Sequence, residues 1–220
     1  MISVAKIVLE EGGEYLCRFP QGTMRLVSGD VCVTELDYGL DTGSVEGTET
    51  REDAKGGKGL AFRVVRKLGP SDFSHMRENG RVAASAKERL ERLIAQDGVT
   101  ARVIHARLSF GGERLFIRYT APAPISLRKF AGELQREFRA QPDLWQVSGR
   151  DEARMMGCLG VCGRVACCCS WQRRFPVATA KMARAQNLPV TPAALNGTCG
   201  KPKCCIAFEC GPCGREKEET

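Results

Sequence analysis

Thr100-Ala101-Arg102-Val103-Ile104-His105-Ala106-Arg107-Leu108-Ser109-Phe110-Gly111-Gly112-Glu113-Arg114-Leu115-Phe116-Ile117-Arg118-Tyr119-Thr120-Ala121 holds two runs of β-branched and aromatic residues around a Gly-Gly pair. That pattern predicts a β-hairpin, 100–110 and 114–121. Upstream, Val82, Ala86, Leu90 and Leu93 recur at helical spacing, with Glu88 and Arg92 as an i,i+4 pair. They predict a helix over about 79–96, closed by Asp97-Gly98. Leu60–Arg66 reads as a strand before it. Downstream, Pro122 and Pro124 mark an exit, and Ser126 can cap a second helix with the apolar face Leu127, Phe130, Leu134 and Phe138. A strand at 144–148 follows. The order β-α-β-β-α-β predicts a ferredoxin-like α+β domain over 60–150, a statement of topology that carries no function.

Residues 2–9, 14–19 and 30–36 alternate as short strands with Gly12-Gly13 and Ser28-Gly29 between them. They predict a small N-terminal β domain, a sheet or partial barrel, over 1–48, with Cys17 and Cys32 as packing residues. Gly43–Gly59 has almost no large apolar residue and reads as a linker or long loop, with 49–59 as the segment between domains. Its Gly56-Gly57-Lys58-Gly59 run lacks the glycine spacing and the hydroxyl residue after Lys that a phosphate loop needs.

The chain has 220 residues and a net charge of +7, distributed as −6 over 1–50, +6 over 51–110, +2 over 111–154 and +5 over 155–220. An acidic head on a basic body suits an RNA or an acidic partner, or simply a solubilising surface. No run approaches 18 apolar residues and the N-terminus lacks a signal-peptide pattern, so the expectation is a cytoplasmic protein without membrane insertion.

Of 12 cysteines, ten fall between Cys158 and Cys213. Clustered thiols in a reducing compartment bind metal more often than they pair. Cys162-Gly163-Arg164-Val165-Ala166-Cys167-Cys168 is echoed 37 residues later by Cys199-Gly200-Lys201-Pro202-Lys203-Cys204-Cys205. Thiolates suit zinc or iron–sulfur clusters, and the glycine after each first cysteine permits φ > 0. Arg164 and Lys201 can offset thiolate charge. The simplest ligand set is Cys162, Cys167, Cys199 and Cys204, with Cys168 and Cys205 as alternative ligands or core residues.

Zinc knuckles usually read Cys-x2-Cys, which neither repeat does. Cys210-Gly211-Pro212-Cys213 does, and reads equally as ligands, a redox pair or an accessory knuckle. Cys158 and Cys169 read as small buried hydrophobes. Residues 178–187 predict a short helix between the repeats. Asp151 reads as a helix cap, with Glu152 at the helix's positive end.

A thiol enzyme needs a base. The only histidines are His75, in an expected loop, and His105, on an expected strand, and neither sits in a catalytic motif. The expectation is therefore no enzyme. A zinc-stabilised RNA-binding module is the alternative, although the aromatics mostly occupy expected core positions rather than stacking platforms.

Gly149-Arg150-Asp151-Glu152-Ala153-Arg154, Gly157 to Cys168, Lys181-Met182-Ala183, Gln186-Asn187-Leu188, Gly197-x-Cys199-Gly200 and Cys204-Cys205 closely resemble the bacterial YaaT/RicT family, which shares the polymerase-suppressor (PSP) C-terminal domain. Gly29-Asp30 with Val31, Val33 and Gly39, then Tyr119-Thr120-Ala121 and Arg128, extend the resemblance upstream. It implies a non-catalytic subunit of a cytoplasmic complex, the Y-complex, with two small protein partners. That complex binds [4Fe–4S] clusters and supports RNA maturation by ribonuclease Y, with effects on sporulation, competence and biofilm development. Family cluster ligands map onto Cys162, Cys167, Cys168, Cys199 and Cys204. Val161 stands where the family usually has Pro, Lys201 where Arg is common, and Cys158, Cys169, Cys210 and Cys213 look additional.

Overall fold

The computed structural model describes residues 2–9, 13–20, 24–51, 62–172 and 174–210. Phosphate-loop-like residues 56–59 and Cys213 lie outside them. The chain packs as two compact units, one formed by residues 1–118 with 124–145 and the other by 119–123 with 146–220. Among the described residues no helix is long and apolar enough to cross a membrane.

The first unit opens with strands β1 (Ile2–Leu9), β2 (Glu14–Phe19), β3 (Val31–Leu36), β4 (Gly39–Arg51) and β5 (Phe62–Lys67). They close a barrel in the order β1-β2-β5-β3-β4, with β4 returning to β1. Alternation buries Ala5, Ile7, Cys17, Cys32, Val45 and Val64 inside it. Cys17 and Cys32 are packing residues as expected, and burial pushes both thiols up to about 11.

Two expectations change here. Residues 43–51, read as the start of a linker, continue β4 and pair with β1 from Leu9↔Gly43 to Ile2↔Arg51. The 62–67 strand does not join the sheet that follows it. It inserts between β2, parallel, and β3, antiparallel. Glu35 pairs with Arg63 across β3 and β5, and Lys67 Nζ lies 2.6 Å from Asp30. The four-stranded ferredoxin-like sheet is therefore not formed, because its first strand satisfies its ladder in the barrel.

What remains is α+β. Helix α1 (Pro70–Gln96) packs on a three-stranded sheet of order β6 (Arg102–Leu108), β7 (Arg114–Thr120) and β8 (Gln141–Gln146). The helix starts nine residues before the start at 79 that its periodicity predicts. Pro70 suits the first turn, and the Gly69 N–H donates to Asp72 at 2.7 Å. His75, expected in a loop, lies in this helix. Its Nε2 is 2.8 Å from the Phe110 carbonyl oxygen.

After β7 a 3-10 turn, Arg128–Phe130, leads into α2 (Ala131–Phe138). Leu127, Phe130 and Leu134 are buried as the pattern predicts. Arg89 of α1 bonds Glu133 and Glu137 of α2.

Asp41 ties the barrel to this sheet. It is fully buried and accepts from Arg107 through both carboxylate oxygens at 2.8 and 2.7 Å, and from Tyr38 Oη at 2.8 Å. The Thr42 N–H also donates to it, at 2.8 Å. Burial alone pushes this carboxyl up, but Arg107, Tyr38 and the Thr42 N–H outweigh it and hold it below its ordinary value.

Truncating Arg107 leaves a buried, unpaired carboxylate, so Arg107→Ala should lose about 3–5 kcal/mol in urea denaturation. The folded-state value is the lower one. This contribution is therefore full above the unfolded carboxylate value of roughly 3.9 and fades as pH falls through the folded one. Asp41→Asn should flatten that acid limb of the stability curve.

Candidate metal centre

The second unit begins at a capping box. Ser148 Oγ is 2.6 Å from Asp151, and helix α3 (Gly149–Met156) follows. Asp151 thus caps from inside the first turn, while Ser148 holds the position before the helix. Gly157, at φ 72°, ends it.

The sequence repeat is a repeat of backbone. In the first copy, Leu159 bridges Val165, Gly160 N–H donates to Arg164 O at 2.8 Å, and Gly163 N–H donates to Gly160 O at 2.9 Å. Ala166 N–H then donates to Cys158 O at 2.9 Å, and α4 (Cys167–Ser170) starts. In the second copy, Asn196 bridges Pro202, Gly197 donates to Lys201 at 2.9 Å, Gly200 donates to Gly197 at 3.0 Å, and Lys203 donates to Leu195 at 2.9 Å. Each partner sits 37 residues after its counterpart.

Gly163 and Gly200 have φ 77° and 75°. Both carry the left-handed turn that a side chain resists. Between the copies run α5 (Ala180–Ala185), capped by Thr179, and α6 (Pro192–Leu195), capped by Thr191. The second copy ends in α7 (Cys204–Glu209).

Counterparts also meet in space. Trp171 and Phe208, 37 positions apart, pack with ring centroids 4.4 Å apart and ring planes tilted by 59°. They are 51% and 59% exposed, against the expectation of core aromatics. Cys204 feels the charge of Cys167, its own counterpart. Equivalent groups in contact indicate a local pseudo-twofold relation between the two hairpin–helix copies. Met182, Ala183, Ile206 and Ala207 form a small core, and Gln186 Nε2 donates to Ile206 O at 2.7 Å, holding α5 against α7.

Cys162, Cys167, Cys168, Cys199, Cys204 and Cys205 all line one cavity of about 630 Å³, together with Cys158 and apolar walls from Val161, Val165, Leu188 and Pro202. Burial raises the Cys168 thiol to about 11 and also raises Cys204 and Cys205, with Arg150 opposing it at Cys204. Among the described residues, no three His, Cys, Asp or Glu side chains converge closely enough to hold a metal ion. The fold therefore gathers the six thiols on one wall system of the right chemistry without drawing them to one centre.

Cys169 is absent from the cavity lining. Cys210 packs against the small core instead. Both histidines belong to the first unit.

In the sequence Arg150 stands in the run Gly149–Arg154 with no motif of its own. It stacks over Phe175 at 4.9 Å and donates through Nη2 to Pro202 O at 3.1 Å, which brings its charge beside Cys204. No local spacing announces that contact. Its neighbour Gly149 shows how close the second copy lies: a Cβ there would sit 2.7 Å from Cys199 O.

Residues 62–147 match the family described as PSP1 C-terminal conserved region, and 176–211 match the PSP1-like protein, third domain. The chain is 26% identical over 198 residues to Stage 0 sporulation protein YaaT of Bacillus subtilis (strain 168), covering 90% of this chain and 71% of that protein. No solved structure matches it.

A Cβ at Gly163 or Gly200 would meet open space, so only backbone strain opposes it. Gly163→Ala and Gly200→Ala should each cost about 1–2 kcal/mol in thermal or urea unfolding, and by similar amounts. A cost confined to one of the two would break the equivalence of the copies.

Proposed function

Because the chain is a YaaT-like protein of the PSP1 family, we propose that it is a non-enzymatic regulatory adaptor whose duplicated thiol motif carries a [4Fe–4S] cluster. In this reading it acts in the cytoplasm in a Y-complex-type assembly with small protein partners and supports RNA processing by ribonuclease Y. The sporulation-stage relative supports the regulatory part. The observation that carries the cluster is the meeting of both copies of the repeat at one cavity.

The ligands come from Cys162, Cys167, Cys168, Cys199, Cys204 and Cys205. Soft thiolates in this number suit an iron–sulfur cluster, and the spacing within each copy departs from a zinc knuckle. When bound, the cluster supplies an oxygen-sensitive one-electron centre. The chain's own part is to present thiols from two separate turns, so that occupancy ties one hairpin–helix copy to the other. Arg150 brings a positive charge beside Cys204. The absence of a histidine from the cavity lining favours binding over thiol catalysis.

Anaerobic purification should yield a brown protein with iron, sulfide and broad visible absorption. The double variant Cys162→Ser/Cys199→Ser, which removes one ligand from each copy, should lose the colour. A colourless product that takes up only zinc after anaerobic reconstitution would refute the cluster. It would leave a zinc-stabilised module, whose RNA affinity should then fall steeply with salt. Co-purification with ribonuclease Y and small partners, lost in the same double variant, checks the adaptor role.

A further inference from the structure

The two hairpins of the second unit share a backbone but not a surface. In the first, Leu159 bridges Val165, so the two side chains stand on one face. Val161, in the turn between them, shares a cavity wall with Val165. In the second hairpin the equivalent positions hold Asn196, Pro202 and Thr198. Equivalent backbone bonds close both turns, so the hairpin does not need apolar residues to form.

Exposure runs against this chemistry. Leu159, Val161 and Val165 are 61%, 60% and 57% exposed, while Asn196, the polar counterpart of Leu159, is half-buried. Met156, at the end of α3 just ahead of the hairpin, is exposed as well. Single exposed apolar residues are ordinary. A group of them on one hairpin, absent from its twin, marks a contact surface.

Charge says what kind of occupant fits. From Ala153 to Phe208 the chain has eight Lys and Arg and no Asp or Glu. Arg154 closes α3 before the hairpin and Arg164 sits within it. Both are exposed, and neither has an ion-pair partner among the described residues. Exposed cations flanking an aliphatic face suit an occupant that carries both apolar and acidic side chains. Two copies of this face would bring like charges together, which opposes self-association through it. Leu and Val offer no ring for a base to stack on, so a protein segment fits the face better than RNA does.

We propose that the first hairpin is a docking surface for a partner protein. The partner's segment sets apolar side chains against Leu159, Val161 and Val165, and Asp or Glu residues against Arg154 and Arg164. Burial of the aliphatic face drives the association, and the two cations select the sign and orientation of the segment. The inference takes from the adaptor reading only that a protein partner exists, and it makes no use of the cluster.

The test follows fluorescence anisotropy of labelled amphipathic peptides titrated with the purified full chain, its iron content assayed. One peptide has Leu on one helical face and Glu on the flanks, and the other has Lys in place of Glu. The Leu/Glu peptide should bind, more weakly as salt is raised, and the Leu/Lys peptide should not. Giving the first hairpin the residues of the second, Leu159→Asn/Val161→Thr/Val165→Pro, should weaken binding by about tenfold or more. The fold already holds those residues at the equivalent positions. Arg164→Glu should weaken the Leu/Glu peptide and admit the Leu/Lys one. Leu159 does not line the cavity, so Leu159→Asn alone should weaken binding without loss of iron, and it decides the matter if the triple variant misfolds. No binding of the Leu/Glu peptide, equal binding of the Leu/Lys peptide, or undiminished binding after the exchange would overturn the proposal. So would a single-stranded RNA that binds and is lost in the triple variant, or a dimer that the exchange dissolves, because each gives the face a different occupant. Peptide binding by protein that stays iron-free after anaerobic reconstitution would refute only the cluster. A brown protein that ignores the peptide would refute only the docking surface.

Discussion

Two glycines at positive φ decide where the second unit's thiols go. At Gly163 and Gly200 the chain turns back through a conformation that a Cβ would strain, and each turn is closed by the same pair of backbone bonds. The turn returns the chain to a short helix whose first two residues are cysteines. One cysteine before the turn and two after it then lie near one another. Repeating the device 37 residues later produces a second thiol set in the same local geometry. Trp171 packed against Phe208 and Cys204 beside Cys167 mark the place where the copies face each other. A cavity lined by thiols from both copies is built this way, because one four-residue helix cannot present thiols from two directions.

The first unit depends on a different kind of constraint. Asp41 is fully buried and is satisfied by groups from its own hairpin and from β6. A buried ion pair contributes little net stability against an apolar replacement, but half of one is strongly unfavourable. The arrangement therefore tolerates few alternatives. The β3–β4 turn has to meet the β6–β7 turn, and the Gly111 N–H to Leu40 O bond at 2.8 Å records that meeting in the backbone. Tyr38 packs edge-on against Phe116 with Arg107 over the same ring, so the polar link is enclosed by apolar contacts.

Local chemistry made much of this legible. Cys17 and Cys32 read as packing residues and are fully buried in the barrel. Asp97-Gly98 ends α1, Gly112 turns the predicted hairpin, and the glycines after Cys162 and Cys199 take the φ their role requires. The beginning of α1 was not legible, because Pro70–Gln96 opens with a polar stretch whose helix is started by Asp72 and Pro70 rather than by an apolar stripe. Ser148, and not Asp151, stands before α3, since the two exchange bonds and either alone resembles a cap. For the candidate centre, the motif identified which cysteines belong together. It did not reveal that Arg150 approaches Cys204 or that Cys158 Sγ lies 3.9 Å from Thr198 Oγ1, because those contacts cross between elements whose separation in sequence carries no periodic signal.

By itself the sequence determined most of the elements, though not β4 or the start of α1, and with them the left-handed turns and the duplicated thiol unit, each settled by residues within a few positions of one another. Only the tertiary structure decided that the 62–67 strand completes a barrel instead of leading a ferredoxin-like sheet. It also decided that a lone aspartate in the head is matched by an arginine 66 residues later. Strand propensity says that a segment will pair, and a buried charge says that a partner must exist. Neither says which partner. That choice is made by the whole chain, through the closure of loops and the burial of one face against the other.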